Sequence, residues 1–350
     1  MADLLDLLVD IPVVPERVLD DLPERAVGSG PYRLVEASDT RVVMDAFTAY
    51  WGGQPAFKRV VWQAEADEEE RVQALLAGEA DLIAAVSPAG RHLIESTAQR
   101  KIITRESHVC VIFMCNALTG VCTDRRVRQA LNYALDVPLI IDTIREGAAQ
   151  PLNGPLTPFH LGYDPHTPPY PYDPERARAL LAGAGYGDGL PLLIDVPTVL
   201  PDEATELAQC MVEQYARVGI FAEVRVFADR PGYADLVRAK QMDDLCCFDS
   251  SPLSTYRVLR EKFHSGVRGP WWQGYTNPEV DRLIDQARAT VNDTQRQKLY
   301  RRAYRLLRDD APWVFLYRPT LFWGASPQVP DWTIGRDGLI RLVAAPDRMK

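Results

Sequence analysis

The 350-residue sequence has no apolar run approaching the roughly twenty residues that a helix needs to cross a bilayer; its longest, "DLIAAV" and "VCVIFMC", are far shorter. It is also short of positive charge: 39 Lys and Arg against 48 Asp and Glu leave a formal charge of −9. That argues against a nucleic-acid partner and an anionic membrane surface, both of which demand a basic face. The five histidines, His92, His108, His160, His166 and His264, are scattered, with no H-E-x-x-H and no nucleophile elbow. The six cysteines form no C-x-x-C pair, which argues against a zinc site, and no cofactor is implied. Cys115 and Cys122 could bridge across "NALTGV" in an oxidising compartment; the others read as small core residues. In "MADLLDLLVDIPVVPERVL" aspartates interrupt the leucines and no basic segment precedes them, so the start is no secretory signal peptide. As written the chain is expected to stay in the cytoplasm, unless its true start lies upstream.

Two glycines are present where a phosphate loop could be sought, in "AVGSGPYRLVEASDTRVVMDAF". A phosphate loop needs a helix directly after the glycines, so that first-turn N–H groups meet the anion. Here Tyr32, Leu34, Val42, Val43, Met44 and Phe47 sit in two β-prone runs around Ala37-Ser38-Asp39, which predicts a hairpin. Further on, "DEEERVQALLAG" has an acidic first turn and a glycine stop, and "HVCVIFMC" is apolar enough for a strand covered on both faces. Val127, Ala130, Leu131, Ala134 and Leu135 share one helical face behind a cap at Thr123 or Asp124. The proline-rich "PLNGPLTPFHLGYDPHTPPYPYDP", residues 151–174, predicts an extended surface excursion, because its prolines forbid helix interior and central strand. From "LPLLIDVPT" the order becomes strand, helix, strand, which argues for an α/β lobe with a mixed sheet. Two late helices are expected behind caps at Thr276 or Asn277 and at Asp293.

In their order along the chain, "GSGPYRLVE", "YWGGQPAFKRVVW", "LLAGEADLI", "TDRRVRQALNYALD", "YDPERARALLAGAGY", "YTNPEVDRLIDQA" and "LYRRAYRLLRDDAPWVFLY" resemble segments of the family 5 extracellular solute-binding proteins, the peptide- and nickel-type components of ABC importers. The resemblance implies an α/β, two-lobe fold like that of the type II periplasmic binding proteins of the peptide-binding cluster. Lobe I would combine residues 28–110 and 316–350, lobe II would hold 111–315, and 1–27 would be a lead-in. It implies a monomer that holds a small-molecule or peptide ligand in the inter-lobe cleft, outside the cytoplasm, and hands it to an ABC permease in the membrane. Relatives carry a signal peptide and a substantial segment before the glycine turn, so the chain is expected to be N-terminally truncated with lobe I incomplete.

In dipeptide-binding relatives an aspartate before a proline-containing loop holds the peptide ammonium, and "CCFDSSPLSTY" places Asp249 one residue nearer the proline. No arginine near "VPTVLP" matches the one that relatives use for the peptide carboxylate. Read from the residues alone, Asp249 fits either charge-assisted binding or an Asx-turn. Trp271 and Trp272 in "RGPWWQGY" either pack under their loop or wall a pocket. Ser250, Ser251 and Tyr275 are second-rank polar candidates, and Arg257 and Arg260 could meet an anion or face solvent. A hydrolase or metal-dependent enzyme on a similar scaffold, and a truncated remnant that binds nothing, are the competing readings.

Overall fold

The computed structural model describes residues 14, 16, 27–97, 99–335 and 338–343; the expected lead-in falls largely outside them. The chain divides into two compact units, one of them His108–Pro319, the other holding the described residues up to Ser107 and from Thr320 onward.

The smaller unit opens with the expected hairpin. Strands β1 (Tyr32–Ala37) and β2 (Arg41–Ala46) pair antiparallel, and β3 (Arg59–Gln63) adds to β2. The Ser38 N–H donates to Arg41 O at 2.8 Å, closing the turn, and no helix follows the glycines. Helix α1 (Glu68–Ala77) starts where the Asp67 side chain accepts from Glu70 N–H and stops at Gly78, whose φ of 83° suits a residue without Cβ. Strand β4 (Leu82–Ile83), helix α2 (Pro88–Glu95) and strand β5 (Lys101–Glu106) follow.

The larger unit is a mixed sheet with a core on each face. Strand β6 (Cys110–Cys115) is buried at every residue. Its Val111, Phe113 and Cys115 join one core and its Ile112 and Met114 the other, because successive side chains of a strand point to opposite faces. Helices α3 (Arg125–Tyr133) and α4 (Val137–Arg145), strand β7 (Ala149–Pro151), helix α5 (Pro174–Ala184), strand β8 (Leu190–Pro197), helix α6 (Ala204–Ala216) and strand β9 (Ile220–Phe227) come next. They are followed by helix α7 (Arg230–Ala239), strand β10 (Leu245–Ser250) and helices α8 (Thr255–Phe263), α9 (Pro278–Ala289) and α10 (Asp293–Asp310). Strand β11 (Trp313–Ala325) belongs to this unit up to Pro319, pairing β6 and β7, and to the smaller unit beyond it, pairing β4 and β5. Within the larger unit the order is β11-β6-β10-β8-β9, with β8, β9 and β10 parallel. Residues of α3, α4 and α6 pack in one core, those of α7 to α10 in the other.

Two expectations are corrected. The cap of α10 is Asn292, which accepts from Gln295 N–H at 3.0 Å; Asp293 is the first helical residue. Residues 151–174 do lack a helix interior and a central strand, and they are a surface excursion only in part: 158, 159, 165, 166, 168, 169, 171 and 172 are exposed, while 152–157 and Asp164 are buried. Their polar groups are satisfied internally. Asn153 donates to the carbonyls of Asp164 and Thr167 at 3.1 and 2.8 Å and accepts from Tyr304, while Asp164 accepts from Arg305 Nε at 2.6 Å and Thr167 Oγ1 at 2.9 Å. Proline forbids regular structure, yet a loop can be buried when every polar group has a partner. Cys115 and Cys122 are buried free thiols, and Cys115 Sγ donates to Ala311 O at 3.9 Å.

Candidate functional site

Because β8, β9 and β10 are parallel, their carboxyl ends share one edge of the sheet, which is where open α/β sheets present ligand-binding groups. Asp249 is the penultimate residue of β10. Arg230 opens α7, the helix that follows β9, where Asp229 caps the end by accepting from Gly232 N–H at 3.1 Å. The Arg230 Nη2 lies 4.0 Å from Asp249 Oδ1, with the guanidinium 4.5 Å over the Phe248 ring. Lys262 of α8 is only 3% exposed. Its ammonium sits 5.7 Å over Trp271 and 5.9 Å over Trp313 and makes no hydrogen bond or ion pair among the described residues.

Burial governs both ionisable groups. It raises the Asp249 pKa above the ordinary carboxyl value, against the pull of Lys262 and Arg230, and it pushes Lys262 down to about 8, against the pull of Asp249. Arg230 Nε and Ser250 Oγ are buried with no hydrogen-bond partner, as is His108 Nδ1. Unsatisfied buried donors are uncommon and call for an explanation.

The loop after β10 is pinned by two imidazoles. His108 Nε2 lies 2.8 Å from Ser251 O, and His160 Nε2 2.8 Å from Pro252 O. His160 Nδ1 accepts from Thr157 N–H at 3.1 Å, so the proton resides on Nε2 and is donated to Pro252. Burial lowers the His160 pKa, because the charged ring would be poorly solvated there. The sequence carries no local signal for either role, since the partners are 143 and 92 residues away.

The structure brings Asp249, Ser250, Ser251 and Trp271 to one neighbourhood: Trp271 lies 4.7 Å from Phe248, with Arg238 stacked 4.8 Å from its ring. It places the polar tips of Trp272, Tyr275 and Arg257 elsewhere. Trp272 Nε1 donates to Tyr275 O at 2.7 Å, Tyr275 Oη donates to Asp310 Oδ2 at 2.7 Å, and Arg257 pairs with Glu261 at 3.3 Å. Neither Arg230 nor Lys262 stands out in the sequence. A cavity of about 1370 Å³ lies instead in the smaller unit, lined by Val60, Trp62, Ala74, Ile83, Val329 and Ile340 among others. Its two arginines are engaged, Arg71 by the carbonyls of Glu65, Ala66 and Ala85 and Arg59 by the Asp45 carboxylate at 2.6 Å. Among the described residues no group of three or more His, Cys, Asp or Glu could hold a metal ion, and no helix is long and apolar enough to cross a membrane.

Comparison with known proteins gives consistent matches. A model of the bacterial extracellular solute-binding proteins, family 5 Middle, matches residues 4–279. Heme-binding protein A of Haemophilus influenzae is 26% identical over 324 residues, covering 89% of this chain and 58% of that protein. Glutathione-binding protein GsiB of Pectobacterium atrosepticum is 28% identical over 323 residues, covering 89% and 62%. The chain thus spans about three fifths of the length of these curated relatives. Among solved structures, the periplasmic binding protein DppA of Helicobacter pylori in complex with the peptide STSA superposes with a TM-score of 0.84 at 20% identity, covering 98% of this chain and 70% of that one. The fold is that of the type II periplasmic binding proteins of the peptide and nickel cluster.

Proposed function

Because the chain belongs to the bacterial extracellular solute-binding proteins of family 5, we infer that it is the substrate-binding component of an ABC importer, which captures a small solute, peptide-like or other, and delivers it to a membrane permease. The observation that carries this reading is a set of polar groups at the carboxyl edge of the parallel strands: Arg230 Nε and Ser250 Oγ, buried without partners, the buried Lys262, and Asp249, 4.0 Å from Arg230. Such groups are held in place before any ligand arrives, and a ligand that satisfies them regains interactions that folding left unmade. Ser251 and Trp271 border them, while Trp272, Tyr275 and Arg257 support the loop and helix from behind.

In this reading the chain releases its ligand unchanged, as fits similarity to proteins named for binding a solute. At this edge Ser250 Oγ has no hydrogen-bond partner, and His108 and His160 are engaged with the backbone carbonyls of Ser251 and Pro252. A working site outside the cytoplasm fits the family, in which the protein meets its solute before the permease does. The test is a thermal-shift screen of the purified chain against di- and tripeptides, glutathione, heme and a nickel–histidine chelate. A saturable rise in melting temperature with one class, and recovery of that compound unchanged, supports the reading. No rise with any class, or products of hydrolysis, contradicts it.

A further inference from the structure

The charges around Asp249 do not suit an incoming ammonium. Two cations, Arg230 and Lys262, face a single carboxylate, and Arg230 already stands 4.0 Å from it. The anions on the neighbouring elements are engaged elsewhere: Glu261 by Arg257 at 3.3 Å, Glu203 by Arg145 at 3.7 Å, and Asp235 by Arg238 at 2.6 Å. Asp229 is committed to the cap of α7. Arg238 over Trp271 is balanced by Asp235 and adds no net charge. The unsatisfied groups also favour an anion, since Arg230 Nε is a donor and Ser250 Oγ can donate, and both are buried without partners. Arg230 itself is the first residue of a ten-residue helix whose amino end faces the same edge, adding the positive end of its dipole. An ammonium placed here would meet two like charges, whereas a carboxylate would meet two cations and a hydroxyl.

We propose that this edge binds the carboxylate of the ligand through Arg230, Lys262 and Ser250, with Asp249 serving to position the two cations and not to accept a ligand ammonium. The assignment rests on the solute-binding reading above and names the chemical group that the site selects. It also supplies what the sequence lacks near "VPTVLP", a cation for a ligand carboxylate, from a different part of the fold.

The experiment is isothermal titration of the full chain with three probes: Ala-Ala, N-acetyl-Ala-Ala and Ala-Ala-amide. The expected result is that N-acetyl-Ala-Ala binds within about threefold of Ala-Ala, while the amide binds at least tenfold more weakly. Arg230→Met and Lys262→Met, each checked for a folded circular-dichroism spectrum, should both weaken N-acetyl-Ala-Ala at least tenfold. Asp249→Asn should tighten it severalfold by removing the one opposing charge. Tenfold weaker binding of the acetylated probe, together with loss of Ala-Ala binding in Asp249→Asn, would overturn the carboxylate assignment and leave the solute-binding reading intact. Absence of saturable heat from all three probes in the wild-type chain would remove the peptide-like reading and the assignment with it.

Discussion

Lys262 carries the clearest energetic signature of any single residue. Its ammonium is buried against indole rings, and the fall of its pKa from 10.5 to about 8 corresponds to roughly 3 kcal/mol of disfavoured charge at neutral pH. Between those two values the unfolded chain still holds a proton that the folded chain has released. Wild-type stability should therefore rise with pH across that window relative to Lys262→Met. At pH 7 the methionine variant, close in shape and free of the charge, should be more stable by about 1–2 kcal/mol in urea denaturation, and an equal or lower midpoint would contradict the assignment of that burden to the ammonium. Asp249 is legible in the sequence because a strand end, an acid and a proline-bearing loop lie side by side in "CCFDSSP". Arg230 and Lys262 are not: one opens a helix after a different strand and the other lies on a later helix, so only tertiary folding brings their charges to Asp249. Trp271 and Trp272 look equivalent in the sequence because adjacency carries no information about which ring turns inward. The structure separates them through the Trp272 hydrogen bond to Tyr275.

At the scale of elements, the loop after β10 depends on neutral histidine. Below about pH 6.5 the unfolded chain takes up a proton at residue 160 that the folded chain resists, so stability is lost as pH falls from 7 toward 5. The variant His160→Gln, which keeps a donor for Pro252 O, should show a shallower decline in melting temperature over that range; an unchanged slope would show that the pin is unimportant. Gly274 in "WWQGY" is a second element-scale test. Its φ is +92°, and a Cβ there would lie 2.4 Å from Leu118 N and 2.6 Å from the Ala117 carbonyl carbon. Neither backbone atom can swing away as a side-chain end could, so Gly274→Ala should destabilise the larger unit by at least about 2 kcal/mol, measured by chemical denaturation. Hairpin, helices and strands are readable from period and caps. The proline-rich stretch misleads in its first half, because composition reports what backbone structure is forbidden and says nothing of burial, which there follows from Asn153 and Asp164 finding partners on α10. The cap of α10 is shifted by one residue from its expected place because Asn292 and Asp293 are both good caps, and backbone geometry decides between them.

For the molecule as a whole, a ligand that binds only the folded form stabilises it by an amount that grows with the logarithm of its free concentration above Kd. At a free ligand concentration one hundredfold above Kd the gain is about 2.7 kcal/mol, which for a unit of this size corresponds to a rise of roughly 5–10 °C in melting temperature. The order of seven family-like segments makes the family legible in the sequence itself, because each segment is tied to an element whose signals are local. The chemistry of the site is less legible, because charge balance at one sheet edge is a sum over residues from several elements. The most direct test of the central claim, that the chain holds a small solute without altering it, is native mass spectrometry of the purified chain after incubation with a defined pool of di- and tripeptides. The account predicts a one-to-one adduct whose released mass equals that of an intact member of the pool; peptide fragments, or a chain that stays bare at saturating concentrations, would contradict it.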